Sequence, residues 1–200
     1  MIQQTYSYFG NIHEIDAIIK DGSVIFIKDA SFSKMSFKNR MVIATAQGPL
    51  HLTIPIVGGR EQKTPMDSLK IAYDIPWQEQ HYKAIISNYK RAPFFEYYEN
   101  SLAQVYKNKS VYLIDFLQHC HAWLLQQLKN NWQVEISDRI TAQNNFQKSE
   151  QAPKNYHQFA HHIKYQQVFE DRIGFLPNLC ILDLLFCVGG KQAVHILKTS

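Results

Sequence analysis

Residues 34–59, KMSFKNRMVIATAQGPLHLTIPIVGG, constrain the fold more than any other stretch of the chain. Met41 to Ala46 is an apolar, partly β-branched run suited to a buried strand. Gln47-Gly48 supplies a turn, and residues 50–57 alternate apolar with polar at period two, so the pair reads as a β-hairpin closed by Gly58-Gly59. Lys34, Lys38, Asn39 and Arg40 crowd the entrance to this hairpin. Cations and an amide on a rigid base can hold an anionic ligand through charge-assisted hydrogen bonds.

The rest of the chain reads as packing around that hairpin. Residues 2–9 suit a first strand. Asn11 with Glu14 three residues later forms a capping-box pattern, and Ile12, Ile15, Ile18 and Ile19 fall on one helical face. Asp21-Gly22 ends the helix, and residues 23–28 suit a second strand, giving a parallel βαβ unit. Residues 60–67 read as a loop, and 69–73 as a short strand. From Trp77 the period turns helical, first to the residue before Pro93, then from Pro93 through Tyr106. Residues 111–128 form a helix apolar on several faces, hence central. Residues 132–140 suit a last strand, and the polar segment 141–155 a mobile loop with the composition of a lid. Helical spacing resumes over 157–170, and Asn178 is the expected N-cap of a helix over 179–188 that stops at Gly189-Gly190. The expected fold is a single compact α/β domain over residues 1–200. A mixed sheet, βαβ plus hairpin, comes from the N-terminal half and is packed by a helix-rich C-terminal half.

Composition narrows the function classes. The 200 residues are 46% hydrophobic and 19% charged, with a net charge of +4, an ordinary globular balance too mild and too scattered for nucleic-acid binding. The absence of a signal-peptide pattern and of a spanning apolar run predicts a cytoplasmic protein without a transmembrane segment. Three cysteines, Cys120, Cys180 and Cys187, form no CxxC pair and suit reduced, buried thiols. No GxSxG, P-loop or GxGxxG motif is present, so no cofactor is identified and covalent serine or cysteine catalysis is not expected. His157 and His161 share a helical spacing, but no Glu stands in an HExxH position and His119 and His121 point apart. Surface histidines, and no metal, are expected there.

Two ionisable groups stand out. Asp183 lies in an otherwise apolar helical run, and a buried carboxylate there needs a partner, with Arg40, Arg172 or His81 as candidates. It reads equally as a catalytic group or as half of a structural ion pair. His81 follows Trp77 by one helical turn, where a histidine can act as a general base or simply pack.

Several segments together resemble the WbqC-like protein family. They are KMSFKNR, GPLHLTIPI, the Trp77–His81 spacing, PFFEYY from Pro93, and YQQVFEDRIGFLPNLCILDLLFCVGG near the C-terminus. The chain departs from the family in its opening, YSYFGNIHEI, which lacks the usual prolines, and in the polar segment 141–155. The resemblance implies a transferase of bacterial cell-surface, O-antigen-type polysaccharide biosynthesis, moving glycine or another acyl group onto an amino or nucleotide-linked sugar. In that reading Lys34, Asn39 and Arg40 hold the substrate's phosphate or carboxylate, while Tyr6, Tyr8, Trp77 and Tyr89 line or stack on its ring. Asn178 belongs to the remote half of the site, His81 takes a proton, and Asp183 orients a cationic partner. The alternative is a non-catalytic ligand-binding or scaffold protein of a surface-glycan pathway, in which Asn39, Arg40 and Asp183 lock the hairpin to the last helices.

Overall fold

The computed structural model describes residues 1–28, 32, 36–58, 64–129, 132–138, 145–146, 157 and 163–200. Strand β1 (Ile2–Thr5), helix α1 (Ile12–Asp21) and strand β2 (Ser23–Ile27) form the expected unit, with β1 and β2 parallel from the Ile2–Val24 pair to the Thr5–Ile27 pair. The local code is explicit. Asn11 accepts from the Glu14 N–H, the Glu14 carboxylate accepts from the Asn11 N–H, and Gly22 ends the helix at φ 77°. Ile12, Ile15, Ile18 and Ile19 are the buried stripe.

The parallel sheet is completed from the C-terminal half. Strand β5 (Gln133–Ser137) pairs with β2, and the two-residue β6 (Asn145–Phe146) pairs with β1 on its other side, giving the order β5-β2-β1-β6. Thus part of the segment expected as a polar loop over 141–155 is a sheet edge, while the remainder lies outside the described residues. Central β2 is buried from Val24 to Ile27, as a parallel strand covered on both faces must be.

The hairpin forms where expected, from β3 (Arg40–Thr45) and β4 (Gly48–Thr53), and stands beside the parallel sheet as a two-stranded sheet of its own. Its alternation splits the core. Met41 and Ile43 enter the main hydrophobic cluster, while Val42 and Ala44 join a smaller one with Phe37 and Leu179. Helices α2 (Trp77–Tyr89), α3 (Phe95–Lys107), α4 (Leu113–Leu128), the single-turn α5 (Glu170–Ile173), α6 (Ile181–Val188) and α7 (Gly190–Thr199) supply the rest. Among the described residues, no helix is long and apolar enough to cross a membrane.

Two expectations are corrected. Residues 163–167 are extended rather than helical: Ile163, Tyr165 and Gln167 point inward at period two, and Gln167 is held by both the N–H and the C=O of Leu176. Helix α6 stops at Gly189 as expected, and a separate helix, α7, begins at Gly190. His121 is not on the surface but 5% exposed, its Nε2 2.9 Å from the Ser7 carbonyl. His161 lies outside the described residues.

Candidate functional site

The order in which strands join the parallel sheet reverses at β1, since β2 and β5 lie on one side of it and β6 on the other. Crevices at the carboxyl ends of strands at such a point are where open α/β sheets bind ligands. The hairpin entrance is docked at this position: the Tyr8 N–H, just past β1, donates to the Phe37 carbonyl at 3.0 Å. The loop then delivers Lys38, Asn39 and Arg40 in succession.

Asn39 holds the entrance in shape. Its Nδ2 donates to the Ile54 carbonyl at 2.9 Å and its own carbonyl accepts from the Ile54 N–H at 2.8 Å, clamping the open end of the hairpin. Arg40 and Lys38 are half-buried. The Arg40 Nε is buried with no hydrogen-bond partner, and no ion pair reaches this guanidinium among the described residues. Burial lowers the Lys38 ammonium to about 8. Burial, and then Arg40 itself, lowers the His51 imidazole. Positive charge is thus concentrated and desolvated here, the condition under which an anion is bound strongly. Lys34 lies outside the described residues.

In many α/β folds the helix after β1 would hold a phosphate with its free N–H groups. Here that terminus is occupied by protein. The Ile12 N–H donates to the Leu179 carbonyl, the His13 N–H to Asn178 Oδ1, and the Glu14 N–H to Asn11 Oδ1. Asn178 is therefore not the cap of its own following helix, whose N-cap is Cys180, but caps α1 across 165 residues of sequence. Its left-handed backbone, φ 51°, turns the chain so that this reach is possible. An anion at the entrance must be held by the side chains of the hairpin loop instead.

Asp183 is fully buried, and its partners are hydroxyls rather than the cations expected. Tyr89 donates to Oδ2 at 2.6 Å and Tyr165 to Oδ1 at 2.7 Å, with Cys187 Sγ at 3.9 Å. Burial raises the carboxyl to about 6, and the tyrosine hydrogen bonds restrain the rise. Tyr89 also accepts the Ala44 N–H of β3 at 2.9 Å. The carboxylate so ties the hairpin to α6, through Tyr89 and not through Arg40.

The remaining expected site residues lie inside the core. His81 is 6% exposed, and its Nδ1 is 3.1 Å from the Tyr8 hydroxyl, which lies 2.6 Å from the Tyr106 hydroxyl. Burial lowers His81 to about 4. Tyr6 stacks on Phe26 with ring centroids 4.1 Å apart, and Trp77 meets Phe116 and His81 edge to face. Tyr6, Tyr8 and Tyr89, expected against a ligand ring, are thus engaged by protein neighbours. Arg40 and Asn39 are brought together, whereas His81 and Asp183 join separate buried clusters. The sequence places Lys38 in the cationic cluster at the entrance without a role of its own, and it does not mark His51 as a site residue. His51 faces Val42 across the hairpin, a register that a strand pairing could have indicated.

The WbqC-like protein family matches residues 5–152. The chain is also similar to "Uncharacterized protein Rv1507c" of Mycobacterium tuberculosis, 24% identical over 225 residues that cover 98% of this chain and 96% of the relative. No solved structure matches the chain.

Proposed function

From the chain's membership of the WbqC-like protein family, we propose that it is a transferase of bacterial cell-surface polysaccharide biosynthesis that holds the anionic part of an amino or nucleotide-linked sugar at the hairpin entrance. The observation that carries this reading is Arg40: a half-buried guanidinium whose Nε has no acceptor among the described residues, three residues after Phe37, which meets Tyr8 just past β1. A bidentate phosphate or carboxylate would satisfy it. Asn39 is the clamp that orients it, and Lys38, lowered to about 8, is the entrance group suited to take a proton from an attacking amine or hydroxyl. The group transferred would be glycine or another acyl group.

The test is thermal shift and calorimetric binding with UDP-N-acetylglucosamine and related nucleotide sugars, on the native protein and on Arg40→Met and Lys38→Met. Stabilisation by ligand in the native protein, lost in Arg40→Met, is expected. Equal stabilisation of both proteins removes the assignment. A second reading, a non-catalytic ligand-binding protein of the same pathway, is favoured by the burial of His81 and Asp183, which leaves the entrance without either of them. Under that reading Lys38→Met retains ligand binding and no transfer is detected with any protein.

A further inference from the structure

A cleft of about 590 Å³ opens between the start of α2 and the end of α3, within the size range of small-molecule sites. Its walls are aromatic: Tyr73, Trp77, Tyr82 and Tyr106. The hydroxyls of these tyrosines are already engaged, Tyr73 with the Ser110 carbonyl, Tyr82 with the Glu99 carbonyl and Tyr106 with Tyr8. What Tyr73 and Tyr82 offer a ligand is ring surface, with the buried Trp77 and Tyr106 packed behind them. Around this apolar wall stand Asp74 and Glu79 together with Lys107 and Lys109. Glu79 is tied to Lys83, and Lys109 lies 5.6 Å over the Tyr73 ring, whereas Asp74 has no partner among the described residues. No side chain caps α2, so the first-turn N–H groups at Gln78 and Glu79, both in the lining, add donors.

We propose that this cleft binds a neutral carbohydrate, one or two rings laid against the aromatic wall. A sugar ring is an apolar disc of C–H groups ringed by hydroxyls, and the cleft mirrors that division: ring surface at its wall, an accepting carboxylate and donating ammoniums at its rim. The mixture of signs gives no net field to favour an anion, unlike the hairpin entrance. A nucleobase would stack on the same wall but asks for in-plane partners deep between the faces, where these tyrosine hydroxyls are already committed. The inference goes beyond the entrance reading and does not require it. Tyr106 nonetheless joins the two places, since Tyr8, bonded to its hydroxyl, also donates its N–H to Phe37 of the entrance loop.

Amide-resolved NMR titration of the whole chain tests it, with N-acetylglucosamine, galactose, glucose and chitobiose as neutral probes and uridine as the nucleobase comparison. At least one sugar should give saturable shifts at Gln78, Glu79 and Ala103, weakened about tenfold or more in Tyr82→Ala and in Asp74→Asn and unchanged in Arg40→Met. Asp74 is exposed, so its variant keeps the test valid should Tyr82→Ala fold poorly. The proposal is overturned if no sugar moves these signals, if uridine moves them and sugars do not, or if Asp74→Asn binds as the native chain does. Sugar binding retained while the nucleotide-sugar response is absent would strike the entrance reading alone.

Discussion

Among the described residues no ion pair reaches the half-buried Arg40, and such a group costs the fold something unless a ligand or water meets it. Arg40→Met keeps most of the aliphatic packing and removes the charge. The expected result is a Tm equal to or above that of the native chain, with nucleotide-sugar binding lost. Had the guanidinium been half of a buried ion pair, the same change would cost about 3–5 kcal/mol, an effect no melting curve would miss. Gly190 makes the opposite kind of residue-scale statement. A Cβ there would sit 2.2 Å from the Gln127 carbonyl of α4, and the Gly190 N–H is taken by the Tyr98 hydroxyl at 2.8 Å. The neighbouring atom is backbone, so it cannot rotate away. Gly190→Ala should destabilise by about 1–3 kcal/mol or more as α7 is pushed off α4, read from denaturant midpoints; a change within error would show that the two helices are free to separate.

Between elements, the decisive contact is the chain from the Ala44 N–H through Tyr89 and Asp183 to Tyr165 and Gln167. It joins β3, α2, α6 and the extended segment over 163–167. Loss of Tyr89 is expected to cost more than loss of Tyr165. Tyr89→Phe strands both the Ala44 N–H and one carboxylate oxygen, at about 1–3 kcal/mol each. Tyr165→Phe removes one donor from the other oxygen, which keeps the Cys187 thiol at 3.9 Å, and Gln167 Nε2 keeps the Leu176 carbonyl at 2.7 Å. Chemical denaturation of the two variants checks the order, and an equal or reversed pair of costs would rule out this account of the hub. The same contacts explain what the sequence could disclose. Asn11-x-x-Glu14, the isoleucine stripe, the hairpin alternation and Pro93 are local signals, and the elements they specify form near the expected places. Asp183 could be read as buried from its apolar neighbours, but its partners lie 94 and 18 residues away and have no local signature. Residues 157–170 carry helical spacing, yet over 163–167 burial alternates at period two and the Gln167 side chain is held by two bonds to Leu176, nine residues on. At the site, the cationic cluster was visible as composition, whereas the burial that lowers Lys38, and the occupation of the α1 terminus by Asn178, depend on which segments meet in space.

At the scale of the whole molecule, buried ionisable groups set how stability follows pH, and they act in opposite directions. His81 and His121 fall to about 4 on burial, below the ordinary histidine value near 6.5. Between those values the unfolded chain binds more protons at these two sites than the folded one, so their contribution is complete above about pH 6.5 and is lost as the pH falls toward 4. Asp183 is raised to about 6 from an unfolded value near 3.8. Between those values the folded chain binds the extra proton, so this contribution is present at low pH and lost as the pH rises through about 6. Over roughly pH 4.5–5.5 the three groups together give stability that rises with pH with a slope of about one proton, two from the histidines less one from the aspartate. Asp183→Asn should steepen that slope to about two protons whatever it does to stability at neutral pH, and His121→Gln should flatten it to about none. Urea unfolding at half-unit pH steps measures all three slopes. Because every other titrating group is common to the three proteins, the differences between them isolate these sites. Parallel lines for all three would mean that Asp183 and His121 titrate in the fold as they do in the open chain, and the buried assignments of both would have to be withdrawn.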